Sequence, residues 1–275
     1  MIKQILKTII QEKKAQGLSE SLIRNYLKEY IQYLILNLIY NQRKFKRLVF
    51  KGGSCLRICF DLPRLSEDID FDYTEKKLGK DLLNKLNNYL KKEITKKYDL
   101  PLETKIQSTI RLYLKFPILR NLGLASQSES DKLYVKVETS NRLNPFAGYS
   151  LTPISKYGFN FITYHYDLSS LMTGKINALL YRVWFKGEQS QIDIKGRDFY
   201  DLFWFLQKNI EPNWQMLKKM TGIKDKKELK KILQERIKKA ITPQKLSYDL
   251  RNFIPDSQFV SDFSKNYLRI LEKYM

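Results

Sequence analysis

The sequence predicts an α+β fold, a small mixed β-sheet with flanking helices followed by a helical C-terminal half. Three observations carry that expectation. At 275 residues the chain exceeds one typical domain of about 150 and falls short of two large ones, which leaves a core domain with a helical extension or two small domains sharing a cleft. Up to residue 166, short segments with period-two alternation are interspersed with helical patterns, whereas from Asp167 onward apolar residues recur every three or four positions. No internal repeat or low-complexity linker separates the two parts, 1–166 and 167–275, so they are expected to pack against each other.

The elements follow in order. MIKQILKTIIQEKKAQG, residues 1–17, is apolar every three or four positions but interrupted by lysines, which fits an amphipathic helix and not a signal peptide. A second helix is expected from Ser19 to Gln42, with Leu22, Ile23, Leu27, Ile31, Leu34, Ile35, Leu38 and Ile39 as its stripe and Ser19 as its cap. The apolar run Tyr30 to Tyr40 contains Gln32 and Asn37 and is about half a bilayer span, so a soluble, cytosolic protein is expected. A monomer is a separate expectation. RLVF at 47–50 reads as a strand, SCLRICF at 54–60 as a helix, Ser66 to Tyr73 as a strand and Lys76 to Tyr98 as a helix. Extended segments are expected at 105–116, 132–139 and 159–166, with a loop over Asn141 to Ser155, where Asn, Pro and Ser are frequent. Helices then cover LSSLMTGKINALLYRV, GRDFYDLFWFLQKN, NWQMLKKM, ELKKILQERIKKAI and a C-terminal segment ending near Tyr274.

Lysines and arginines number 50 against 29 acidic residues, a formal charge of +21 that exceeds what solubility requires and favours a polyanionic partner. Richness in Ile, Lys, Asn and Tyr also fits a low-GC genome, which inflates lysine, so charge alone does not select RNA. The basic run from Leu217 to Ala240 fits a solvated helix face and an RNA-docking surface equally well. With two cysteines, Cys55 and Cys59, and one histidine, His165, the chain excludes a disulfide scaffold, most zinc sites and mechanisms needing several imidazoles. Any metal must be held by carboxylates.

The densest chemistry lies in KGGSCLRICFDLPRLSEDIDFDY, residues 51–73. Gly52 and Gly53 permit a tight strand-to-helix turn, and the first turn of the next helix offers backbone NH groups and the Ser54 hydroxyl to phosphate oxygens. In SEDIDFDY, period two puts Asp68, Asp70 and Asp72 on one strand face, where two carboxylates suit Mg²⁺ completed by triphosphate and water oxygens. An ordinary turn and a solvated strand edge would give the same letters. Like charges so close are costly unless a cation sits between them. YVKVE, residues 134–138, offers a further carboxylate, Glu138, on a face shared with Lys136.

The pattern GG[ST], helix, then S-x-D-x-D resembles the DNA polymerase β-like nucleotidyltransferases. KGG-S-x-L with SEDIDF, followed by GKINALLYR and KGRDFYDL, is similar to the AbiEii family of abortive-infection toxins, a phage-defence group that also includes mycobacterial toxins adding nucleotides to tRNA. The resemblance covers roughly residues 45–210. It implies that Gly52, Gly53 and Ser54 hold the phosphates of an NTP, and that Asp68 and Asp70 bind Mg²⁺, with Mn²⁺ as a substitute. Glu138 becomes the third metal carboxylate and the base for the attacking hydroxyl, with Glu103 as the fallback. Lys175 is the triphosphate lysine and Asp198 its partner in the helical half, and Arg182, Arg197 and Asp201 are further site residues. By composition alone Lys175 is one surface lysine among many, Asp198 and Asp201 can brace a helix, and Arg197 can pair with Asp201. The implied activity is transfer of NMP to RNA, most readily the 3′ end of tRNA, under the control of an antitoxin. A protein or small-molecule hydroxyl acceptor, or a catalytically silent RNA- or antitoxin-binding module, are the competing expectations.

Overall fold

Among the described residues, seven strands form one sheet in the order β3-β4-β5-β2-β1-β7-β6. They are β1 (Val49–Lys51), β2 (Asp68–Asp72), β3 (Glu103–Gln107), β4 (Arg111–Pro117), β5 (Lys132–Ser140), β6 (Tyr149–Lys156) and β7 (Phe159–Tyr166). The computed structural model describes residues 2–74, 81–182 and 194–275. The start of the expected helix at Lys76 and the end of the one reaching Val183 lie outside them. The chain divides into two units, residues 1–143 with 149–165, and residues 144–148 with 166–275.

The sheet is mixed because β2 runs parallel to β5 while pairing antiparallel with β1, and β4 is antiparallel to both β3 and β5. Phe50, Ile69, Phe71, Leu112, Leu114, Phe116, Leu133, Val135 and Val137 make one face apolar and are buried. Helices α2 (Glu20–Tyr40) and α4 (Leu82–Tyr98) pack over β3 to β5, and α1 (Ile2–Ala15) packs on α2. Period two leaves Lys51, Asp68, Asp70, Asp72, Arg111, Lys136 and Glu138 on the opposite face.

Two expectations are corrected. The extended segment 105–116 is a hairpin: the three residues Ser108, Thr109 and Ile110 separate β3 from β4, and Ser108 and Thr109 take left-handed φ, 51° and 52°, to reverse the chain. The segment read as a loop up to Ser155 contains strand β6. Its Pro153 lacks an NH, but β6 is an edge strand of the sheet, where that loss is tolerated. Tyr157 and Gly158, also at positive φ, turn β6 back into β7.

Helix α3 (Gly52–Phe60) carries Arg57, whose Nε donates to the buried Glu29 of α2 at 2.7 Å. Lys156 Nζ lies 3.6 Å from the other Glu29 oxygen, and Gln32 Nε2 donates to the Ser66 carbonyl at 3.0 Å. These bonds fix α2 to α3 and to the loop that feeds β2.

The second unit comprises α5 (Leu168–Tyr181), α6 (Gly196–Gln207), α7 (Trp214–Thr221), α8 (Lys226–Ala240), α9 (Pro243–Leu250) and α10 (Ser257–Tyr274). Side chains of Asp167, Asn213, Asp225, Thr242 and Asp256 accept backbone NH bonds at the starts of α5, α7, α8, α9 and α10. The segment 144–148 joins this unit because Asn213 Nδ2 donates to the Phe146 carbonyl at 2.7 Å and Gly148 N to Ser170 Oγ at 2.9 Å. Among the described residues no helix is long and apolar enough to cross a membrane.

Removing Arg57 would leave the Glu29 carboxylate buried with weaker partners. Arg57→Ala is therefore expected to cost about 3 kcal/mol in urea unfolding, with part recovered in Arg57→Ala/Glu29→Gln. An unchanged midpoint in the single variant would show that this pair does not hold α3 to α2.

Candidate active site

The strand β1 ends in a turn that only glycine suits. Gly52 has φ +79°, and a Cβ there would lie 2.3 Å from Asp70 Oδ2. At Gly53 a Cβ would lie 2.8 Å from Arg64 Nη2 and 2.9 Å from Ser66 Oγ. The two glycines thus let an Asp70 oxygen and the Arg64 guanidinium approach the backbone at the start of α3. Ser54 is fully buried, and its hydroxyl donates to the Asp68 carbonyl oxygen, tying α3 to β2. The hydroxyl proton of Ser54 is thus engaged by β2. Arg64, only 2% exposed, donates from Nη1 to the Leu65 carbonyl at 2.8 Å. Sequence reasoning passed over it; its one signal is a lone cation between Leu62 and Leu65 in DLPRLSED.

Across the parallel pair, Asp68 stands opposite Lys136 and Asp70 opposite Glu138. The Lys136 ammonium lies 3.0 Å from Asp68 Oδ2 and 2.7 Å from Glu138 Oε2, while Arg111 Nε donates to Glu138 Oε1 at 2.8 Å. Burial pushes the Glu138 carboxyl up, but hydrogen bonds and charges from Lys136 and Arg111 outweigh it and hold the group below its ordinary value. Burial lowers Lys136, and the charges and hydrogen bonds of Asp68 and Glu138 more than reverse it. Asp72 is buried and takes Lys51 Nζ at 2.6 Å. The like-charge cost of the acidic strand is thus relieved by lysines.

Asp68, Asp70 and Glu138 share the face expected of them. They do not close into a three-carboxylate set: among the described residues no three His, Cys, Asp or Glu side chains are gathered as a metal would need. The physical reason is the Lys136 ammonium between Asp68 and Glu138. Asp68 and Asp70 still fit Mg²⁺ in donor chemistry, since that ion takes one or two hard carboxylates and completes its shell with phosphate and water oxygens. Glu103 lies on β3, beyond β4 and β5, with Lys132 Nζ at 2.6 Å.

In the second unit Lys175 Nζ lies 2.9 Å from Asp198 Oδ1 and 2.7 Å from Asp201 Oδ2, and Arg182 Nη1 bonds Asp198 Oδ2. Four of the expected residues are therefore together. The fifth, Arg197, is held by Asp249: its backbone N and Nε reach Asp249 Oδ2 at 3.0 and 3.3 Å, and its guanidinium stacks 3.7 Å from the Phe253 ring centre. Burial raises Asp198, but the charges of Lys175, Arg182 and Lys195 hold it well below the usual carboxylate range. Lys195 is pushed down to about 8 by burial and by the neighbouring Arg197 charge. A shallow surface depression is lined by Arg182, Lys195, Asp198 and Arg236 with apolar neighbours. Lys195 and Arg236 were not singled out from sequence, although Lys195 directly precedes GRDFYDL.

The family described as nucleotidyl transferase AbiEii toxin, type IV toxin–antitoxin system, matches residues 34–275, which include every residue discussed in this section. Among solved structures the chain is similar to MenT4, a nucleotidyltransferase toxin from Mycobacterium tuberculosis H37Rv. The TM-score is 0.57 at 15% identity, over 98% of this chain and 89% of that one. A candidate nucleotidyltransferase from H. pylori aligns with TM-score 0.43 at 18% identity, over 94% of this chain and 99% of that one. JHP933 from Helicobacter pylori gives 0.41 at 18%, over 88% and 94%. No curated protein matches the sequence.

The contact between Gly52 and Asp70 is open to a double-mutant test. Gly52→Ala is expected to cost about 2–3 kcal/mol of stability in the parent chain, from left-handed backbone plus the clash with Asp70. In an Asp70→Ala background only the backbone part, about 1–2 kcal/mol, should remain. Equal costs in the two backgrounds, read from urea unfolding, would show that the carboxylate is not pressed against the glycine.

Proposed function

The chain belongs to the AbiEii family of nucleotidyltransferase toxins, and we propose that it transfers NMP from an NTP, with Mg²⁺, to an RNA acceptor, the 3′ end of tRNA in particular. The observation that carries this reading is the placement of Asp70 against Gly52 at the start of α3, with Asp68 two residues away on the same face of β2. A helix start beside two carboxylates suits a triphosphate with its metal.

The roles follow from what each side chain can do. The backbone of Gly52, Gly53 and Ser54 would face the phosphates, while Asp68 and Asp70 would hold the divalent ion. When bound, Mg²⁺ or Mn²⁺ supplies Lewis acidity at the α-phosphate and charge compensation for the leaving pyrophosphate. Glu138, kept ionised by Lys136 and Arg111, is in the right protonation state to accept the proton of the attacking hydroxyl. The same cations lower its proton affinity, so loosening either one would make it a stronger base. The family pattern assigns the triphosphate to Lys175, whose ammonium is aimed by Asp198 and Asp201; Asp198 also orients Arg182.

RNA as acceptor is supported by the charge of +21 and by α8, which exposes Lys226, Lys227, Lys230, Lys231, Lys238 and Lys239. Membership of a type IV toxin–antitoxin family makes an antitoxin the expected protein partner.

The test is incorporation of label from each α-labelled NTP into total RNA by the purified wild type and Asp68→Asn. The amide keeps the size of the carboxylate but removes its charge, so D68N should lose at least about a hundredfold in transfer while its circular dichroism is unchanged. Induction of the wild type without antitoxin should arrest growth, and induction of D68N should not. Label appearing in protein and not in RNA would overturn the acceptor, and full arrest by a folded D68N would overturn nucleotidyl transfer as the cause.

A further inference from the structure

We infer that Lys136 is a built-in counter-ion of the β2–β5 face: its ammonium offsets the charges of Asp68 and Glu138 while no divalent cation is bound, and it must release Asp68 when the cation binds. The inference rests on the proposed metal-dependent transfer and adds a positioning residue to it.

Register makes the arrangement inescapable. With Asp68 opposite Lys136 and Asp70 opposite Glu138, period two turns Lys136 onto the face that carries all three carboxylates. The ammonium reaches Asp68 at 3.0 Å and Glu138 at 2.7 Å. Among the described residues Lys136 is the only ion-pair partner of Asp68, whereas Glu138 keeps Arg111 on its other oxygen. Departure of Lys136 therefore removes the ion pair from Asp68 and leaves Glu138 anchored by Arg111.

The geometry also lets the exchange happen. Lys136 and Asp68 have side chains 23% and 33% exposed, so the pair is reachable from solvent, and a lysine head on a flexible four-carbon stem can swing away without backbone movement. An arginine, planar and more apt to bind a carboxylate through two nitrogens, would be a harder plug. While Lys136 is in place, the repulsion among Asp68, Asp70 and Glu138 is offset, and the site needs no metal in order to fold. The consequence is a weak affinity for free cation: the divalent ion gains the site most readily together with the triphosphate, whose oxygens supply the ligands that outcompete one ammonium.

Binding of Mn²⁺ alone, without nucleotide, to the full chain tests this, read from the loss of the free-ion electron paramagnetic resonance signal. Lys136→Met removes the competing charge, and K136M should bind Mn²⁺ at least about tenfold more tightly than the wild type. The gain should vanish in K136M/D68N. K136R keeps the cation and should bind Mn²⁺ no more tightly than the wild type. Thermal unfolding supplies a second reading: K136M should be the less stable protein without cation and should be raised by Mn²⁺ much more than the wild type. Equal affinity of wild type and K136M would overturn the role of Lys136 while leaving the metal site standing. Mn²⁺ bound by neither would overturn both. A gain that survives in K136M/D68N would place the ion elsewhere and overturn the proposal, as would tighter binding by K136R, which keeps the test decisive should K136M fail to fold.

Discussion

A one-residue slip of β2 against β5 would turn Ile69 and Phe71 out of the core and carry Asp68 and Asp70 into it. That register is set by burial: Ile69, Phe71, Val135 and Val137 are fully enclosed, and their alternation leaves the carboxylates no other side. The polar face is therefore a by-product of the apolar one, and its chemistry inherits the precision of the core. Asp70 meets Glu138, Asp68 meets Lys136, and Arg111 on β4 stands opposite Glu138 because each strand obeys the same period.

Buried polar side chains of α2 anchor the elements around that register. Glu29, buried on α2, fixes α3 through Arg57, and Gln32 from the same helix grips the Ser66 carbonyl just before β2. Ser54 bonds the first residue of β2 from α3 itself. The loop between α3 and β2 is thus held at both ends. This explains why Gly52 and Gly53 can approach Asp70 and Arg64 so closely: neither glycine could be replaced without moving an element that a buried polar bond already fixes. The helical unit solves a related problem differently. Asp198, buried and held ionised by surrounding cations, aims Lys175 and Arg182, and Asp201 shares Lys175.

Legibility in the sequence followed the range of each interaction. The β2 strand, the glycine turn and the helical second half could be read because their signals are local: alternation in SEDIDFDY, two adjacent glycines, and apolar stripes with capping residues. Strand β6 was missed because its composition is that of a loop, and only its edge position makes Pro153 acceptable. The carboxylate and cation in KVE were visible as neighbours, but the bond from Lys136 to Asp68 depends on the parallel pairing of strands 68 positions apart in sequence, which no local pattern reports. Arg197 illustrates the same limit: its nearest acidic residue at helical spacing is Asp201, yet Asp249 holds it from α9. The bond from the Ser54 hydroxyl to the Asp68 carbonyl is likewise absent from the turn motif, which carries only the local sequence. The resemblance supplied what these local signals could not, the pairing of Lys175 with Asp198 across 23 positions.

The central claim is that the face of β2 is where the divalent cation acts, at the expense of the Lys136 pair. A crystal structure with Mn²⁺ and a non-hydrolysable NTP analogue tests it most directly through the anomalous signal of the ion. The account predicts a Mn²⁺ peak about 2.1–2.2 Å from oxygens of Asp68 and Asp70, the triphosphate against the Gly52–Ser54 backbone, and Lys136 withdrawn beyond hydrogen-bonding distance of Asp68. A peak away from β2, or a peak there with the Lys136–Asp68 bond still intact, would contradict it.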